Sequence, residues 1–155
     1  AAEALAAAQH YGAAVGRLPT ALRADVAAVV IHRGTEPFRG GDGSVVIHTG
    51  QADAYEAEGI LEEALVHEAA HTSLDATHAG SAGWISAQES DGVYISPPAM
   101  EDPALEDLAE SLVPFIAVQY RSDRITDFLE ALIRNAIPAR IAYLAAQGFD
   151  MHPLE

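Results

Sequence analysis

The sequence predicts an α+β fold, a mainly helical core with a small β-sheet beside it. Half of the 155 residues are hydrophobic, and only a fifth are charged. A chain of this length and composition can bury a real core. Apolar residues recur at helical spacing through most of it. Two β-branched runs, Val29-Val30-Ile31-His32 and Val45-Val46-Ile47-His48, read as strands near the start. They share a tetrapeptide, but nothing else recurs, so they are two similar strands and not a repeat architecture. No linker composition divides the chain, and residues 1–155 read as a single domain.

The elements follow in order. Residues 1–22 are Ala-rich and amphipathic, a helix interrupted at Pro19. Residues 25–32 form the first strand. Residues 36–44 hold Pro37, Gly40, Gly41 and Gly43 and read as a turn region. Residues 44–49 form the second strand. Residues 54–74 contain no proline and one glycine, Gly59. Ile60, Leu61, Ala64, Leu65, Ala69 and Leu74 give them an apolar helical stripe. Residues 76–90 are rich in glycine and serine and carry Trp84, and residues 93–96 read as a short extended piece. Pro97-Pro98 ends that piece and predicts no helix there. A helix starts at about Pro103 and kinks near Pro114, with Leu105, Leu108, Leu112 and Phe115 as its buried stripe. Ser122 and Asp123 read as the cap of a third long helix, with Ile125, Phe128, Leu129, Leu132 and Ile133 facing the core. Pro138 breaks it, residues 139–147 resume it, and Gly148 stops it.

His67-Glu68-Ala69-Ala70-His71 is an H-E-x-x-H pentapeptide within the 54–74 helix. Residues four apart share a helix face. Both imidazoles can therefore reach one Zn²⁺, and Glu68, not needed as a ligand, can act as general base on a metal-activated water. In this the segment resembles the metal-binding helix of the zincin metallopeptidases.

Zinc in such a site needs a third protein ligand. The metzincin pattern asks for glycine at position 74 and a ligand at 77, where this chain has Leu74 and Thr77. His78 lies one residue late, and Asp75 is one turn after His71. The aspzincin pattern asks for a downstream G-T-x-x-D, which is absent. A second helix supplies the third candidate: Glu106 and Glu110 sit at i,i+4 and share a face. In the gluzincin arrangement the first such carboxylate binds zinc. The second accepts a hydrogen bond from a ligating imidazole and fixes its tautomer. The helix macrodipole also favours acids at that position. Paired with the upstream H-E-x-x-H, Glu106 is the favoured ligand.

Val66-His67-Glu68-Ala69-Ala70-His71, Gly83-Trp84, Ile95-Ser96 and the run from Asp102 to Glu110 together resemble small gluzincin domains related to the protease domain of anthrax lethal factor. A typical stretch of that family reads S-x-Y-A-x-x-N-P-x-E-D-F-A-E. The likeness covers roughly residues 44–120. It implies a zincin-like fold, His67, His71 and Glu106 as zinc ligands, Glu68 as base and Glu110 behind a ligand. Two departures stand out. One extra residue separates Pro103 from Glu106, and Pro98 stands where the family often has a tyrosine for the oxyanion. Tyr94, Tyr143 and His78 are the local candidates to replace it.

The implied function is hydrolysis of peptide bonds, with a peptide or protein as substrate. A zincin substrate adds as a strand to an exposed sheet edge. Residues 44–49 are the candidate edge, with His48 as a candidate substrate contact and a surface strand histidine as the alternative reading of it. A non-catalytic zinc-stabilised protein-binding domain is the alternative. Arg121, Arg124, Arg134 and Arg140 are scarce positive groups, by default solvated or paired at the surface, and one of them is a candidate to buttress a carboxylate near the site.

A net charge of −15 argues against nucleic acid and anionic membranes as partners. With no cysteine, disulfides are excluded. No apolar run reaches the length of a membrane helix. The opening Ala-Ala-Glu is consistent with a processed or a truncated start; small residues are what signal-peptide cleavage leaves, and on the first reading the expectation is a secreted or periplasmic bacterial protein.

Overall fold

Glycine and proline set several element boundaries in the computed structural model, which describes residues 1–154. The chain forms two compact units, residues 1–73 and residues 74 onward. Helices dominate, and a three-stranded mixed sheet accompanies them in the first unit.

In that unit α1 (Ala2–Gly16) and α2 (Thr20–Arg23) flank the expected break at Pro19. The strands are β1 (Ala28–His32), β2 (Arg39–Gly41) and β3 (Ser44–His48), in the order β1-β3-β2. β1 pairs with β3 in parallel, setting Val29 beside Val45 and His32 beside His48. β2 pairs with β3 antiparallel, setting Gly40 beside Val45. The predicted turn region thus contains a strand. Asp42 and Gly43 alone make the turn, with φ of 48° and 71°. That pair of positive angles is what a two-residue hairpin needs, and Asp-Gly is a preferred pair for it. β2 escaped the sequence reading because two of its three residues are glycine, which carries no strand signal.

The position of β3 corrects the expectation for residues 44–49. β3 is the central strand, paired on both sides, and has no free edge to offer a peptide. Val45 and Ile47 point into the core and are fully buried.

Next come α3 (Thr49–Glu58) and α4 (Leu61–Ser73). The expected single helix over residues 54–74 is broken at Gly59. Its left-handed conformation, φ 76°, caps α3, and its N–H bonds back to the Glu56 carbonyl. α4 lays Leu65, Ala69 and Ala70 into the core against β2 and β3. At Gly40 this packing is backbone on backbone. A Cβ there would overlap the Glu68 carbonyl oxygen and stand 2.6 Å from its carbon. Thr72 locks the same joint. Its Oγ1 accepts from the Gly41 N–H at 2.9 Å and lies 3.0 Å from both the Ser44 and Glu68 carbonyl oxygens.

The second unit is helical: α5 (Asp75–His78), α6 (Ala82–Asp91), α7 (Pro97–Glu101), α8 (Asp107–Tyr120), α9 (Asp127–Ala136) and α10 (Pro138–Ala146). Trp84, in the Gly/Ser-rich stretch, sits fully buried in α6, whose cap Ser81 accepts from the Trp84 N–H. Residues 93–96 form no strand. Pro97-Pro98 opens a helix, contrary to expectation. Ser96 caps α7, and prolines at its first two positions give up only N–H groups that had no helical partner. α8 begins four residues later than Pro103 and runs on through Pro114. Leu105 falls outside it and is exposed, while Leu108, Leu112 and Phe115 are buried as expected.

α9 departs most from the sequence reading. Ser122 and Asp123 form a 3-10 turn, and Thr126 is the cap, accepting from the Leu129 N–H. Only Ile133 of α9 is buried. Phe128, Leu129 and Leu132 are exposed, Phe128 at 78%. α10 ends before Gly148, whose φ of 64° stops it as predicted. No helix among the described residues is long and apolar enough to cross a membrane.

The α4–hairpin joint makes two quantitative demands. Gly40→Ala must force strand and helix apart, and it costs about 3 kcal/mol, at the upper end for overpacking. Thr72→Val keeps the shape but leaves the Gly41 N–H and the Ser44 carbonyl without the hydroxyl. It costs about 1–3 kcal/mol. Urea unfolding of each variant against wild type measures both.

Candidate metal centre

His67 and His71 lie one turn apart on α4, on the side away from Leu65, Ala69 and Ala70. Helical spacing alone brings their rings together. Their Nε2 atoms are 3.1 Å apart, with the ring planes nearly perpendicular and the centroids 4.7 Å apart. His67, Glu68 and His71 are all half-buried. The main chain at Glu68 is the part of α4 pressed on Gly40 and bonded by Thr72. The helix is therefore pinned within the pentapeptide itself.

The remaining predicted residues separate into distinct environments. Glu106 stands at the N-cap of α8, half-buried, and its carbonyl accepts the Glu110 N–H at 2.9 Å. Glu110 is half-buried one turn along. Asp75 opens the short α5, which ends at His78.

His48 is not a surface strand residue. It is 5% exposed, its Nδ1 lies 3.3 Å from the Pro37 carbonyl oxygen, and its ring stacks on His32. Its Nε2 lies 3.7 Å from a Glu36 carboxylate oxygen. These partners tie it to the loop before β2.

His78, Tyr143 and Ser81 form one polar group. The Tyr143 hydroxyl lies 2.9 Å from both His78 Nδ1 and Ser81 Oγ, and Phe149 closes an edge over the His78 ring. Ser81 Oγ already accepts the Trp84 N–H, so its own hydrogen is available to Tyr143. Burial lowers the His78 pKa from its ordinary value. Tyr94 is exposed, with the Arg140 guanidinium carbon 5.3 Å from its ring centroid.

Sequence reasoning missed Thr72, because nothing local says which backbone a threonine will bridge. It also missed the fully buried Asp107, whose Oδ2 accepts from Arg140 Nε and from Gln88 Nε2, both at 2.8 Å. Those partners lie 33 and 19 residues away in sequence.

No protein-family model, curated protein or solved structure matches this chain. The likeness to the lethal factor group rests on its motifs alone.

The His78 group predicts a pH dependence. The folded protein binds the His78 proton less tightly than the unfolded chain does. The stability this contributes is complete above the unfolded value near 6.5 and is lost as pH falls through the lower folded value. The urea midpoint of wild type should therefore drop as pH falls below about 6.5. His78→Gln should show a shallower drop over the same range.

Proposed function

We propose that the chain is a zinc-dependent peptidase of the gluzincin type. The observation that carries this reading is the 3.1 Å separation of the His67 and His71 Nε2 atoms. Zinc bonds imidazole nitrogen at about 2.0–2.1 Å, so His67 and His71 Nε2 are close enough together for both to hold one ion. The donor types fit as well. With Glu106 as third ligand, the donor set would be two histidines and a carboxylate, a combination zinc accepts in catalytic sites. Glu110, one turn further on, takes the role of acceptor for a ligating imidazole.

A zinc ion held there would supply a Lewis acid for a water and for the substrate carbonyl. Glu68 does the proton work. Its carboxylate takes the proton from the attacking water and returns it to the leaving nitrogen, which needs one positioned carboxylate. Gly40 and Thr72 hold the Glu68 main chain, and so limit where that carboxylate can go. A peptide adding as a strand would take the outer edge of β2, which stands at the end of the sheet order.

One observation favours the second reading, a zinc-stabilised protein-binding domain. The Tyr143 hydroxyl already has His78 and Ser81 as partners, so it is not set aside for a substrate oxygen.

Four proteins decide between these readings. Elemental analysis should find one zinc per chain in wild type and clearly less in Glu106→Ala. Glu110→Ala should weaken zinc by about 10–100-fold, less than Glu106→Ala does. Glu68→Gln should keep zinc and fold but lose cleavage of a mixed peptide library read by mass spectrometry. Absence of any cleavage by zinc-loaded wild type would favour the binding domain, and undiminished zinc in Glu106→Ala would remove it as a ligand.

A further inference from the structure

We infer that Arg140 is a positioning residue for Glu106, acting through Asp107; this rests on the metal reading above. Arg140 is fully buried in the first turn of α10. Its guanidinium spans two carboxylates from two other helices. Nε donates to Asp107 Oδ2 at 2.8 Å, and Nη1 donates to Asp91 Oδ2 at 3.1 Å. Both carboxylates are buried, with side chains 0% and 1% exposed. Asp91 is itself fixed, because its two oxygens accept the Ala139 and Arg140 N–H groups at the start of α10. The chain entering α8 is therefore anchored to a rigid frame.

Glu106 lies inside the anchored stretch. On one side of it, Gln88 Nε2 donates to the Pro103 carbonyl at 3.1 Å. On the other, the same amide and Arg140 Nε both reach Asp107 Oδ2. Between them the Glu106 N–H donates to the Asp102 carbonyl at 2.8 Å. The backbone carrying Glu106 is thus held before, at and after that residue. Glu106 sits at an N-cap, where the chain is not yet fixed by a helical ladder, so outside restraint matters most there.

Stability alone is a poor reason for this network. Two buried carboxylates share one guanidinium, and Asp107 Oδ1 and Arg140 Nη2 have no hydrogen-bond partner among the described residues. Such buried ionic groups are often no more stabilising than well-packed apolar residues of the same volume. What they do supply is direction: a planar fork donates to its carboxylates in few geometries, and lysine cannot reproduce that.

The test is titration with Co²⁺ as the probe metal, reading both affinity and the visible d–d absorption band. Arg140→Lys keeps the charge but loses the fork. It should bind Co²⁺ about 10-fold more weakly than wild type, with a shifted band. Leu144→Ala, a buried α10 change that lowers stability without touching the network, should leave both unchanged. Wild-type affinity and band in folded Arg140→Lys would overturn the inference. So would an equal loss in Leu144→Ala, which would mark the effect as general destabilisation. If Arg140→Lys does not fold, Asp107→Asn takes its place, with the same two outcomes. Wild type that binds no Co²⁺, or Glu106→Ala that binds it unchanged, would overturn the metal reading itself and this inference with it.

Discussion

Where β2 crosses α4, two backbones touch, and only a residue without a side chain permits it. Gly40 faces the Glu68 carbonyl at a distance that a Cβ would destroy. The contact has consequences along the chain in both directions. Strand and helix this close leave room for the Thr72 hydroxyl to reach Gly41 and Ser44, which ties the end of the hairpin to the last turn of α4. Thr72 in turn follows His71 directly, and Glu68 lies one turn before it. The residues that hold the fold of the first unit are therefore interleaved on one helix with His67, Glu68 and His71. The apolar face fixes its rotation, the glycine contact fixes its distance from the sheet, and the histidines occupy what is left.

The second unit achieves similar rigidity by another route. Its described residues form no sheet, and its helices are joined by side chains: Asp91 at the end of α6, Asp107 at the start of α8 and Arg140 at the start of α10. Each is at a helix end, where backbone groups lack helical partners and a charged side chain can satisfy them. Asp91 shows the principle most clearly, taking two N–H groups of α10 and the guanidinium that projects from the same turn. The cost is a set of buried charges with incomplete pairing, which concentrates on Asp107 and Arg140.

Apolar periodicity was a good guide wherever packing is one-sided. It located Leu65 and Ala69 in α4 and Leu108, Leu112 and Phe115 in α8. It failed on α9, whose sequence has a strong apolar face yet leaves Phe128, Leu129 and Leu132 exposed. Periodicity reports that a face exists, not that anything covers it. Proline misled in a similar way. Pro97-Pro98 reads as a helix stop from the preceding side, and as a helix start once Ser96 is seen to cap it.

The chain by itself determined the α+β composition, the main helix breaks at Pro19, Pro138 and Gly148, and the pairing of His67 with His71. All of these are local: they depend on the φ a residue allows or on a spacing of four along one helix. Tertiary structure decided the rest. β2 exists because β3 pairs with it and α4 covers it, not because Arg39-Gly40-Gly41 favours a strand. Ser44 to His48 became the central strand because both neighbours pair with it, a choice its own alternation cannot express. Of four arginines that looked alike in sequence, Arg140 alone became fully buried, since only folding brings it between two carboxylates 33 and 49 residues away.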